Sequence, residues 1–134
     1  MQQNNPSKST EVLLVDDNPQ LRTMLAKLLS RDQSYRVMSA SSGEEALDLS
    51  RNRSERIDIL ITDIDMGEMS GVELYKHIRE ERPETGVLFI SAIAHRIRES
   101  LPVLQKPFMP RQFVAKVAEV LSMSESGGSR VSVY

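Results

Sequence analysis

Apolar positions follow two alternating rhythms along this chain. Short, nearly unbroken runs, "EVLLVDD" (11–17), "YRVMSA" (35–40), "IDILITD" (57–63), "GVLFISA" (86–92) and "VLQKPF" (103–108), read as strands. Between them the apolar residues recur at helical spacing. Leu21, Leu25, Leu28 and Leu29 follow a capping Asn18 and a first-turn Pro19, which predicts a helix over 18–32. "SGEEALDLSRNRSE" (42–55) predicts a second, with Ser42 as cap and Glu45 three residues on in a capping-box pattern. "SGVELYKHIREERP" (70–83) predicts a third, with Val72, Leu74, Tyr75 and Ile78 as its apolar positions and Pro83 marking its end. "HRIRESLP" (95–102) has room for one or two turns, and Pro110 opens a last helix carrying Phe113, Val114, Val117, Val120 and Leu121.

Strand and helix in regular alternation predict an α/β fold, a parallel sheet wound with helices on both faces. Continuous rather than alternating apolar strands are what a sheet covered on both sides requires. The chain has 134 residues and 40% hydrophobic composition, enough for one domain with a real core. We expect a disordered segment over 1–9, a domain over 10–122 and a flexible Ser- and Gly-rich tail over 123–134.

Charge and cysteine content narrow the function. A net charge of -2 offers no whole-chain attraction to nucleic acid or an acidic membrane. The absence of cysteine excludes disulfides, zinc–thiolate sites and thiol catalysis, and fits a reducing, cytoplasmic compartment. No apolar stretch approaches the ~20 residues of a membrane span, and the polar N-terminus lacks a signal-peptide run. "SRNRSER" (50–56), with its three arginines, reads as a solvated helix end. The seven methionines read as core filling, and His77 and His95 as solvent-facing.

In open α/β sheets, sites form beyond the carboxyl ends of the strands. Asp16 and Asp17 stand there after the first strand, Asp63 and Asp65 after the third, Ser91 and Ala92 after the fourth, and Lys106 and Pro107 after the fifth. No histidine and no glycine-rich phosphate loop joins them. Carboxylates gathered together repel, and a hard divalent cation such as Mg²⁺ resolves the repulsion while keeping coordination positions for phosphate oxygens. Lys106 adds a compact positive charge and Ser91 a small donor, so a phosphoryl group could be held and a carboxylate could attack it.

This constellation resembles the response-regulator receiver domain over about residues 10–122, including receivers attached to hybrid sensor kinases. The resemblance implies a flavodoxin-like sheet of order 2-1-3-4-5. It implies Asp63 as phosphoacceptor, Asp16 and Asp17 as Mg²⁺ ligands with Asp63 and the backbone carbonyl of Asp65, Lys106 as partner of the phosphate, and Ser91 as the hydroxyl that moves on activation. It also implies a sensor histidine kinase or histidine phosphotransfer protein as phosphoryl donor, with no independent substrate turnover and no direct nucleic-acid or membrane partner. Two positions depart from the family. Gly67 follows Met66 where proline is usual, and Val103 stands where an aromatic residue usually precedes the lysine by three. The segment between Ser91 and Lys106 is also short, so the helix of the usual fourth position should be shortened or distorted.

Two rivals remain at this point. "ITDIDMG" also looks like the Asp-x-Asp motif of haloacid-dehalogenase-type phosphatases, although it lies on the third strand and leaves Asp16 and Asp17 without a task. A receiver-like module that has lost its chemistry is the other.

Overall fold

The computed structural model describes residues 9–92 and 101–126. Five strands are joined by parallel pairing: β1 (Thr10–Val15), β2 (Tyr35–Ala40), β3 (Ile59–Asp63), β4 (Gly86–Ser91) and β5 (Val103–Gln105). The helices are α1 (Pro19–Ser30), α2 (Gly43–Arg51), α3 (Gly71–Glu81) and α4 (Pro110–Ser126). The sheet order is β2-β1-β3-β4-β5, the doubly wound order expected. Of the segment read as one or two helical turns, 95–102, residues 95–100 lie outside the described residues, and Leu101 and Pro102 are not helical.

The apolar strands divide their side chains between two cores. Leu13, Val15, Leu60, Val87 and Phe89 pack with Ala46, Leu47, Leu74 and Ile78 of α2 and α3. Val12, Leu14, Ile59, Ile61, Leu88 and Ile90 face the other way, onto Leu25, Leu29, Phe113, Val117 and Val120 of α1 and α4. This two-sided burial explains why β1, β3 and β4 show no polar alternation.

Local chemistry sets the helix starts. Asn18 caps α1 by accepting from the amides of Gln20 and Leu21. Ser70 and Glu73 form a full capping box at α3. At α2 the box is displaced. Ser42 accepts from the Glu45 amide, but the Glu45 carboxylate reaches back to the amide and hydroxyl of Ser41, at 2.7 and 2.8 Å.

Several boundaries differ from the sequence reading. α2 stops at Arg51, because Asn52 caps it by bonding back to the Asp48 carbonyl. β5 ends at Gln105, ahead of Pro107, which has no amide hydrogen to continue a ladder and follows a cis peptide bond. α4 continues to Ser126, past residue 122; the first helix-breaking pair in its path is Gly127–Gly128.

The arginine-rich stretch is a largely solvated helix end, as read, but its arginines are ion-paired and Arg53 is tucked in. Arg53 pairs with the buried Glu11 at 3.1 Å, Arg51 with Glu81 at 2.7 Å and Arg56 with Asp58 at 2.9 Å. Arg82 completes this seam. Its guanidinium donates to the Ser50 hydroxyl and to the carbonyls of Ser50, Arg53 and Glu55, each at 2.9 Å. Not all methionines fill the core. Met38, Met66 and Met69 do, whereas Met24, Met109 and Met123 are exposed. His77 is exposed, as expected, and His95 lies outside the described residues.

Because the Arg82 guanidinium joins the end of α2 to the loop after it through three carbonyls, Arg82→Ala should cost about 2 kcal/mol in urea unfolding, the scale of hydrogen bonds to a charged group. A loss below about 0.5 kcal/mol would show that water replaces it without penalty.

Candidate phosphoryl and metal site

Strand register brings the site residues together. Val15 pairs with Thr62, so Asp16 and Asp63 follow side by side. Asp63 pairs with Ile90, which places Ser91 one step beyond it. Ser91 pairs with Gln105, and the Lys106 amide then donates to the Ser91 carbonyl at 2.7 Å. Four segments distant in sequence therefore end on one edge.

Asp16, Asp17 and Asp63 each offer a carboxylate oxygen within 4.8 Å of the others. Asp16 and Asp63 are buried and Asp17 is exposed. Lys106 Nζ stands 3.6 Å from Asp63 Oδ2, an ion pair too long to be a hydrogen bond.

Burial is the largest influence on both buried acids and raises their pKa values above the usual carboxylate range. For Asp63 the Lys106 charge opposes this, Asp16 and Asp17 reinforce it, and the Asp65 amide favours the ionised form. For Asp16 the Asn18 amide, donating to Oδ1 at 2.9 Å, and the charges of Lys106 and Arg22 oppose burial. The second oxygen, Asp16 Oδ2, is buried and has no hydrogen-bond partner among the described residues. An orphaned carboxylate oxygen inside a three-acid cluster is costly unless something positive meets it. This donor set, all hard oxygen with one acid open to solvent, fits a hard divalent cation.

The backbone around Asp63 is tightly held. The Ile64 amide donates to the Ile90 carbonyl at 3.0 Å and the Gly71 amide to the Ile64 carbonyl at 2.9 Å. The buried Thr62 hydroxyl donates to the Asp63 carbonyl at 2.9 Å. A Cβ at Gly71 would collide with that carbonyl oxygen. Gly67 is different: a Cβ there would meet nothing within 4 Å, so no steric demand excludes a larger residue. Val103 is half-buried in the α2–α3 core.

The sequence-predicted residues Asp16, Asp17, Asp63, Ser91 and Lys106 thus share one edge, with Asp65 two residues past β3. Sequence reasoning missed Arg22, whose Nη1 donates to the Asp16 carbonyl at 2.7 Å. Its position on the first turns of α1 is the only trace it leaves in the sequence.

A five-stranded parallel sheet of this order, with clustered acids and a lysine on its carboxyl edge, defines the CheY-like class of α/β proteins. Within that class the chain belongs to the response regulator receiver domain family, whose family model matches residues 12–118. It is 32% identical over 126 residues to sensor kinase CckA of Brucella abortus (strain 2308), covering 89% of this chain and 13% of that protein. It is 30% identical over 122 residues to the alkaline phosphatase synthesis transcriptional regulatory protein PhoP of Bacillus subtilis (strain 168), covering 86% of this chain and 50% of that one. The chain therefore spans half or less of the length of these relatives. Among solved structures it is similar to the response regulator protein TrrA from Thermotoga maritima in complex with Mg(2+)-BeF. The TM-score is 0.71 at 28% identity, with 83% of this chain and 98% of that chain covered. No described helix is long and apolar enough to cross a membrane.

Proposed function

We propose that this receiver domain accepts a phosphoryl group on Asp63 from a phosphohistidine of a sensor kinase or histidine phosphotransfer protein, with Mg²⁺ at the acid cluster. The observation that carries this reading is the three-acid cluster with a buried, unpartnered Asp16 oxygen, set beside Lys106. Asp16, Asp17, Asp63 and the Asp65 carbonyl would hold the ion. When bound, Mg²⁺ neutralises the carboxylates and draws phosphoryl oxygens toward them.

The chain's own groups perform the rest. An Asp63 oxygen attacks phosphorus in line, the phosphorus–nitrogen bond to the donor imidazole breaks, and the imidazole leaves with its electron pair. The Lys106 ammonium, already 3.6 Å from Asp63, holds one phosphoryl oxygen as charge develops. The Ser91 hydroxyl takes another. The new negative charge on Asp63 then draws Ser91 and the neighbouring loops inward, which is the conformational switch. With Val103 in place of an aromatic residue, that switch acts through a surface other than the usual aromatic relay, or the domain mainly passes phosphate on. The similarity to a sensor kinase supports such a relay. The reading carries with it a cytoplasmic location, no direct contact with nucleic acid or membrane, and no turnover of an independent substrate.

Incubation with acetyl phosphate and Mg²⁺, followed by intact mass, tests this. One phosphoryl group per chain, slowly lost, is expected. Steady hydrolysis of phosphomonoesters would instead favour the phosphatase reading.

Metal addition gives a second expected outcome. At a Mg²⁺ concentration about a hundred times the dissociation constant, the chain should gain about 2.7 kcal/mol of stability. A melting temperature indifferent to Mg²⁺ would mark a degenerate receiver.

A further inference from the structure

β1 ends in an unusual way. The Asp16 amide still donates to the Ala40 carbonyl of β2, at 3.2 Å. Its own carbonyl, however, is taken by a side chain, Nη1 of Arg22 at 2.7 Å. Arg22 is fixed in turn by α1, its amide donating to the Asn18 carbonyl at 2.9 Å. The Asn18 amide closes the circuit on Asp16 Oδ1 at 2.9 Å.

That carbonyl belongs to the peptide bond between Asp16 and Asp17. Its orientation sets ψ of Asp16 and φ of Asp17 together, because the peptide unit is rigid. A donor fixed on the oxygen therefore limits where both carboxylates point. This matters most for Asp17, whose side chain is exposed where that of Asp16 is buried.

We propose that Arg22 is a positioning residue for the acid cluster: by gripping the Asp16–Asp17 peptide it holds both carboxylates toward Asp63. The inference rests on the reading that the cluster binds Mg²⁺.

Charge and position act with opposite signs here. A guanidinium beside a cation site repels the cation, so an arginine acting through charge alone would weaken Mg²⁺ binding, and removing it would tighten binding. An arginine acting through position has the reverse effect. Arg22 is half-buried and bonded to a carbonyl rather than to a carboxylate, so position outweighs charge.

Calorimetric titration of the full chain with magnesium chloride separates the two. Arg22→Met should bind Mg²⁺ about tenfold more weakly, the usual scale for groups that orient metal ligands. Arg22→Lys, which retains a donor and the charge, should recover a large part of that loss. Metal-free melting of each variant reports whether it is folded. Should Arg22→Met fail to fold, Arg22→Lys alone decides, and it should show a smaller but measurable weakening. Unchanged or tighter binding in Arg22→Met, or no recovery with lysine, overturns the proposal, as does unchanged or tighter binding in Arg22→Lys where Arg22→Met does not fold. A wild-type chain that takes up no Mg²⁺ overturns the metal reading itself, and this inference with it.

Discussion

Asp63→Asn should carry no phosphoryl group under conditions that label the wild-type chain completely. The amide has nearly the shape of the carboxylate, so β3 and its register with Ile90 should persist. It lacks the anionic oxygen proposed to attack phosphorus, and it removes one of the three charges that would hold the ion. The same variant has a stability signature. Burial raises the Asp63 pKa, so the folded state binds that proton more tightly than the unfolded chain does. For an acid shifted in this direction, stability falls as pH rises from the unfolded value of 3.8 through the folded one. The ionised group is thus a burden at neutral pH in the absence of metal. Metal-free Asp63→Asn should melt higher than wild type at pH 7, with the difference shrinking toward pH 4. An unlabelled variant that melts lower at pH 7 would mean that the Lys106 pair outweighs burial.

The second large effect should come from Gly71→Ala. The added methyl would strike the Asp63 carbonyl oxygen and press within 3.1 Å of Ile64 Cα, both rigid backbone atoms. Relief requires α3 to withdraw from the end of β3, which breaks the bond from the Gly71 amide to the Ile64 carbonyl. Overpacking of this kind costs about 1–3 kcal/mol. The larger consequence is chemical, because Asp63 moves with its backbone. A displacement near 1 Å at a reacting group lowers rate on the order of 10²-fold. Gly67→Ala, four positions earlier in the loop that leads into α3, is the internal control: its Cβ meets nothing within 4 Å, so rate and stability should hold. Equal phosphorylation rates in Gly71→Ala and wild type would show that the loop yields without moving Asp63.

The fold was readable because β1, β3 and β4 are apolar on both faces, a pattern that only a covered parallel sheet satisfies. From that pattern the carboxyl-edge rule collects Asp16, Asp17, Asp63, Ser91 and Lys106 with no further information. Residues whose partners are set by tertiary placement were not readable. Arg82 reaches three carbonyls some thirty positions away, and Arg22 reaches back six to a backbone oxygen. Nothing in local spacing announces either bond, since a long side chain has many reachable acceptors. Glu45 shows the same at short range: Ser41 and Ser42 are adjacent candidates, and the cap divides between them. β5 was read as short but placed to 108 rather than 105, because "VLQKPF" is apolar at both ends while Pro107 withholds a ladder donor.

Asp63 should take phosphate only with metal beside it. Borohydride reduction of the acetyl-phosphate-treated chain, followed by peptide sequencing in a mass spectrometer, converts an acyl phosphate into homoserine where it stood. Homoserine at position 63 alone, and its disappearance when EDTA replaces Mg²⁺, is the predicted result. Label at another carboxylate, or equal label at position 63 with and without metal, would contradict it.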